Sequence, residues 1–136
     1  MKVLVDTPVW SLALRRSSEN LTPHDDKLKQ TLAELIRDAR ILMIGPIRQE
    51  LLSGMREESQ FNRLRDHLRA FEDLEITTED YERAGSMSNL CRSSGIANSP
   101  VDMLICSVAA GSGSPILTTD RDFWNYSTLL PIQLLA

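Results

Sequence analysis

Four carboxylates stand where a fold could gather them: Asp6, Glu50, Asp102 and Asp120. Asp6 closes the short apolar run Lys2-Val3-Leu4-Val5, and Asp120 follows Ile116-Leu117-Thr118-Thr119. Glu50 comes shortly after the punctuation Gly45-Pro46, and Asp102 is the only acid in Val101 to Ala110. Clustered carboxylates repel one another unless positive charge sits between them. A hard divalent cation, Mg²⁺ or Mn²⁺, suits an all-oxygen set, and no His/Cys group here is suited to zinc. An ion held this way can acidify and orient a water and offset the charge of a phosphoryl transition state. Each acid alone also reads as a helix cap or a surface charge. Among 19 acids some fall near helix starts by chance, so the combination is more informative than any member.

The elements around these acids are readable. An uninterrupted apolar run such as Val3 to Val5 is typical of a strand buried on both faces. Thr7 then suits a helix cap and Pro8 the first helical position, with a short helix from Val9 to Arg16 broken at Ser17-Ser18-Glu19-Asn20. A second helix is expected from Pro23 to Arg40, with Leu28, Leu32, Leu35 and Ile36 on one face. His24 in its first turn reads as a surface residue. Ile41 to Ile44 is a second strand, and Pro46 opens a helix from Ile47 to Met55. Ser59 to Ala70 is the next helix, Leu74-Glu75-Ile76 an edge-like strand, and Thr78 caps a long helix that Gly95 ends. Ser99 caps, and Pro100 begins, the apolar helix carrying Asp102. An unpaired ionised carboxylate there is costly, so Asp102 needs a partner or a metal. Ile116 to Thr118 is the fourth strand, and Ile132 to Leu134 the last.

Strands alternating with helices predict one parallel α/β sheet covered on both faces. The carboxyl ends of parallel strands share one edge, where ligands bind. Asp6, Glu50 and Asp120 reach that edge directly, and Asp102 enters through the helix before the fourth strand.

The 136 residues fit one domain, spanning 1–136. No apolar run approaches a membrane span and no signal-peptide pattern opens the chain, so a cytoplasmic protein starting at Met1 is expected. Cys91 and Cys106 read as reduced packing residues. A net charge of −4 argues against nucleic-acid binding through a broad positive field. An enzyme that concentrates acids in one pocket remains compatible, given a local rim of arginines.

Four segments resemble successive signature blocks of PIN-domain ribonucleases, most closely the VapC-type toxins of toxin–antitoxin pairs. They are Leu4-Val5-Asp6-Thr7-Pro8-Val9-Trp10, Pro46 to Gly54, Val101-Asp102-Met103-Leu104-Ile105, and Leu117 to Phe123. The resemblance covers essentially the whole chain. It implies a three-layer α/β/α sandwich with a mainly parallel sheet, RNA cleavage dependent on Mg²⁺ or Mn²⁺, and inhibition by a small antitoxin. It also implies a homodimer and RNA products with 3′-hydroxyl and 5′-phosphate ends.

Asp6, Glu50, Asp102 and Asp120 match the family's acidic positions. Asp6 and Asp102 are expected as direct metal ligands, Asp120 directly or through water, and Glu50 to orient water or hold a second ion. Asp122 is an accessory candidate that also reads as a surface acid. Thr7 and Thr118 are candidates to position a water or a carboxylate, although capping explains them as well. Arg48, Arg92 and Arg121 are candidates for phosphate contacts, with a solvated surface role as the alternative. Pro8 stands where these toxins more usually carry Ser.

Three other readings fit the sequence less well. A catalytically silent PIN-fold module that only binds RNA or protein has no reason to keep four costly acids. A haloacid-dehalogenase-type phosphatase needs an Asp where Pro8 stands. A receiver domain needs a late Lys, and the chain has none after Lys29.

Overall fold

The computed structural model describes residues 1–14 and 21–135. Its centre is β1 (Val3–Val5), paired in parallel with β2 (Ile41–Leu42) on one side and β3 (Ile116–Leu117) on the other. The register sets Val3 against Ile41 and Leu4 against Leu42, and Leu4 against Ile116 and Val5 against Leu117. Successive strand residues face opposite sides of a sheet. Val3, Leu4 and Val5 are all 0% exposed, so both faces are covered. Helices provide that cover, which gives a three-layer α/β/α sandwich.

Two expected strands shrink to single parallel bridges, Met43 with Asp73 and Ile116 with Leu134. The backbone still extends the sheet there: Leu74 N–H donates to the Met43 carbonyl (2.8 Å), and Leu135 N–H to the Ile116 carbonyl (2.8 Å). Each segment is cut short locally. Leu74 and Glu75 are exposed, and Thr77 already caps the next helix. Pro131 lacks an N–H, and Ile132 gives its own to the Leu130 carbonyl within a tight turn.

The helices are α1 (Thr7–Leu14), α2 (Pro23–Arg37), α3 (Gly45–Ser53), α4 (Glu58–Leu68), α5 (Thr78–Ser93), α6 (Pro100–Ser112) and α7 (Asp122–Ser127). The expected end of the first helix at Arg16, and the break after it, lie outside the described residues. Helix α1 begins at Thr7, so Asp6 rather than Thr7 precedes it, and Pro8 takes the second position. Thr22 caps α2 in a reciprocal box with Asp25. Helix α2 ends at Arg37, short of Arg40, because Ala39 turns left-handed (φ 55°). Arg40 N–H then donates to Leu35 and Ala39 N–H to Ile36, closing the helix end. Ile36, expected on the buried face, is exposed.

The seam between α5 and α6 is tightly bonded. Arg83 Nη1 donates to Asp80 Oδ1 (3.0 Å) and to the Ser107 carbonyl (3.1 Å), while the Ser107 hydroxyl donates to the Asp80 carbonyl (2.6 Å). Gly111 leaves the guanidinium its space: a Cβ there would lie 2.6 Å from Nη1. Among the described residues, no helix is long and apolar enough to cross a membrane.

Candidate metal centre and active site

Asp6 sits where β1 becomes α1. Its N–H still donates to the Leu117 carbonyl (2.9 Å), while its carbonyl receives the N–H groups of Val9 and Trp10. Its carboxylate is 5% exposed and held at both oxygens. Oδ1 accepts the Thr7 N–H (2.9 Å), and Oδ2 accepts the Thr118 hydroxyl (2.7 Å). Burial pushes this carboxyl up to about 6. The two hydrogen bonds pull it down, and the charges of Asp102 and Glu50 push it further up.

Thr118 leaves the end of β3 and serves two acids. Its hydroxyl donates to Asp6 and accepts the Asp120 N–H (3.0 Å). Asp120 Oδ1 in turn accepts the Asp122 N–H (3.0 Å), which fixes the turn into α7. Asp102 lies in the first turn of α6, its N–H given to the Ser99 hydroxyl (3.2 Å). Its Oδ2 accepts the Tyr126 hydroxyl (2.7 Å). Burial raises the Asp102 carboxyl, with Asp120 and Asp122 adding to the rise and the Tyr126 and Ser99 bonds opposing it. The Tyr126 phenol is itself pushed up by burial and by Asp102.

Carboxylate oxygens of Asp102, Asp120 and Asp122 all lie within 4.8 Å of one another. Asp122 is therefore part of the tight group. Asp6 and Glu50 stand outside that tight group; the charges of Asp102 and of Glu50, exposed on α3, reach Asp6 and raise its carboxyl. The Thr7 hydroxyl is buried without a partner among the described residues, and only its backbone touches Asp6. Arg48 is not turned to the acids. Its guanidinium is committed to Asp73 (2.9 Å) and to the Leu68 and Phe71 carbonyls, where it ties α3 to the end of α4. Arg92 is exposed on α5 with weak contacts to Asn89 and Ser88. Arg121 is exposed between Asp120 and Asp122.

Tyr126 has no signature in the sequence. Its one signal is the spacing of Phe123 and Tyr126, three residues apart, in a helix too short to stand out. In the fold both are buried and meet edge to face at 5.2 Å.

Among the described residues, none of Asp6, Glu50, Asp102, Asp120 and Asp122 is ion-paired with Lys or Arg. An all-oxygen donor set with no protein counter-charge fits a hard divalent cation and does not fit a soft one.

The domain is thus an α/β/α sandwich whose parallel sheet gathers acids at its carboxyl edge. Residues 3–128 match the model of the PIN domain, and the chain belongs to that family. No curated protein matches the sequence. Among solved structures, the fold is similar to VapBC2 of Rickettsia felis bound to a DNA fragment from its promoter (18% identity, TM-score 0.76, covering 100% of this chain and 98% of that one). It is also similar to FitAcB of Neisseria gonorrhoeae (17%, 0.77, 98% and 96%) and to a toxin–antitoxin complex of Klebsiella pneumoniae (20%, 0.64, 90% and 90%).

Proposed function

We propose that this protein is a divalent-metal-dependent endoribonuclease acting as the VapC-type toxin of a toxin–antitoxin pair. The observation that carries the reading is the group of unpaired carboxylates at the sheet's carboxyl edge. Asp102, Asp120 and Asp122, with Asp6 and Glu50 beside them, are the residues that would hold Mg²⁺ or Mn²⁺. When bound, such an ion supplies Lewis-acid stabilisation of the charge that develops on phosphoryl oxygens and acidifies water.

The chain's own groups orient that edge. Thr118 holds the carboxylate of Asp6, and Tyr126 holds that of Asp102. Glu50 orients water from α3. Arg92 and Arg121 meet the RNA backbone, a role the committed guanidinium of Arg48 does not share. Hydrolysis leaves 3′-hydroxyl and 5′-phosphate ends. The partner is a small antitoxin that docks across the acidic edge, where a basic side chain would compete with the cation. The toxin acts in the cytoplasm as a homodimer. The solved toxin–antitoxin complex of similar fold supports the antitoxin partner.

Purified protein should cleave RNA with Mg²⁺ or Mn²⁺ and stop when EDTA is added. Asp102→Asn should lower the rate by at least about 100-fold with an unchanged circular-dichroism spectrum. Cleavage by Asp102→Asn at the wild-type rate would sink the assignment.

A further inference from the structure

Beside the acidic edge lies an open groove of about 1030 Å³, at the upper limit of small-molecule sites. Leu12 and Leu28, from α1 and α2, form its apolar part. Leu135, Thr118, Arg121 and Trp124 also line it. Thr118 is the residue whose hydroxyl holds Asp6, so the groove and the acid cluster share a wall.

Trp124 is the unusual member. Its helix neighbours Phe123 and Tyr126 are buried at 0% and 1%, yet its indole is 49% exposed. A large flat apolar surface in water, next to the Arg121 guanidinium, suits a ligand that is itself flat and carries phosphate. Every nucleobase offers such a face, and stacking on an aromatic side chain tolerates any base. The groove's own acid, Asp25, accepts the Thr22 N–H in the α2 capping box and lies on the α2 side with His24, while the phosphate is assigned to Arg121 beside Trp124.

We propose that this groove binds one unstacked nucleobase of single-stranded RNA beside the scissile position, with Trp124 as the stacking surface and Arg121 on the adjoining phosphate. The assignment rests on the ribonuclease reading. It adds where on this chain a base of the substrate lies and which side chain it stacks on.

The chain has two tryptophans, and Trp10 is only 3% exposed, so Trp124 is a selective fluorescent reporter. The test uses Asp6→Asn protein, which keeps the groove and halts cleavage, titrated with single-stranded RNA hexamers of each base. Saturable quenching is expected, and it should vanish in Asp6→Asn/Trp124→Phe. By anisotropy of end-labelled hexamers, Trp124→Ala should weaken binding about 5- to 100-fold, and Trp124→Phe should recover part of it. Unchanged affinity in Trp124→Ala, or quenching that persists with Phe at 124, overturns the groove assignment.

The two readings fail separately. If wild type cleaves RNA and Trp124→Ala binds and cleaves equally well, the groove alone is wrong. If wild type neither binds nor cleaves RNA, the ribonuclease reading falls with it. If Trp124→Ala keeps full RNA affinity but escapes inhibition by a co-produced protein partner, the groove is a protein-docking surface and the assignment is overturned.

Discussion

Asp80 and Asp6 are the same residue type in opposite circumstances. Asp80, in the α5–α6 seam, is lowered from its ordinary value. The Thr77 N–H is the main cause, and Arg83 contributes by hydrogen bond and charge. Asp6, at the sheet edge, is raised to about 6 by burial and by its fellow acids. In the seam, each charge meets its opposite: Arg83 reaches Asp80 at 3.0 Å and Glu79 at 3.4 Å. At the edge, hydroxyls and backbone N–H groups hold the carboxylates in place and no described cation neutralises them. The seam is arranged to stay folded. The edge is arranged to be completed by something from outside, and its unrelieved repulsion is the physical trace of that.

The contrast can be tested first through Asp6. A carboxyl raised in the folded state favours folding at pH below its unfolded value near 3.8, and that contribution is lost as pH rises through about 6. With EDTA present, Asp6→Asn should therefore become more stable than wild type as pH passes 6, by on the order of 2–3 kcal/mol at neutral pH. Urea melts from pH 4 to 8 measure this, and Mg²⁺ should narrow the difference. A gap that stays constant across that range would show that Asp6 carries no such penalty.

The seam should respond in the other direction. Arg83→Ala leaves Asp80 and the Ser107 carbonyl without their donor and should cost about 2 kcal/mol, read from thermal or urea melts, while RNA cleavage at 25 °C is retained. Wild-type stability in this variant would erase the distinction between the two regions. The smallest effect is expected at the hydroxyl that steadies the edge. Tyr126→Phe keeps the ring in the core and removes one hydrogen bond from Asp102, so Mn²⁺ affinity measured by electron paramagnetic resonance should fall about 10-fold. If Mn²⁺ binds as tightly as before, Tyr126 serves packing alone.

What could be read from the sequence follows from how local each signal is. Asp6, Asp102 and Asp120 were legible because apolar runs, Ser99-Pro100 and strand ends mark their places within a few residues. The parallel sheet followed from the alternation of elements, and the burial of Val3 to Val5 from their unbroken apolar character. The bond from Tyr126 to Asp102 joins residues 24 apart through a six-residue helix, and nothing local announces it. Arg48 read as a phosphate contact because its loop-forming partners, Leu68 and Phe71, accept through backbone carbonyls that any residue type would supply. The strands around Leu74 and Ile132 were over-read because edge position and the turn at Pro131, not side-chain pattern, decide how many bonds they make. Asp122 is the surface acid its place after the strand suggests, and its closeness to Asp102, which depends on how α7 folds back, has no local signal.

Thr118 has one proton, given to Asp6, and its oxygen takes the Asp120 N–H. One hydroxyl thus joins a residue after β1 to a residue after β3, and it does so only while Val5 stands opposite Leu117. A slip of one residue would turn the Thr118 side chain to the other face and bring Leu117 or Thr119 beside Asp6. Strand alignment and the alignment of the acidic edge are therefore a single coordinate in this protein, and a population with misaligned β1 and β3 would lack the assembled edge while still counting as folded.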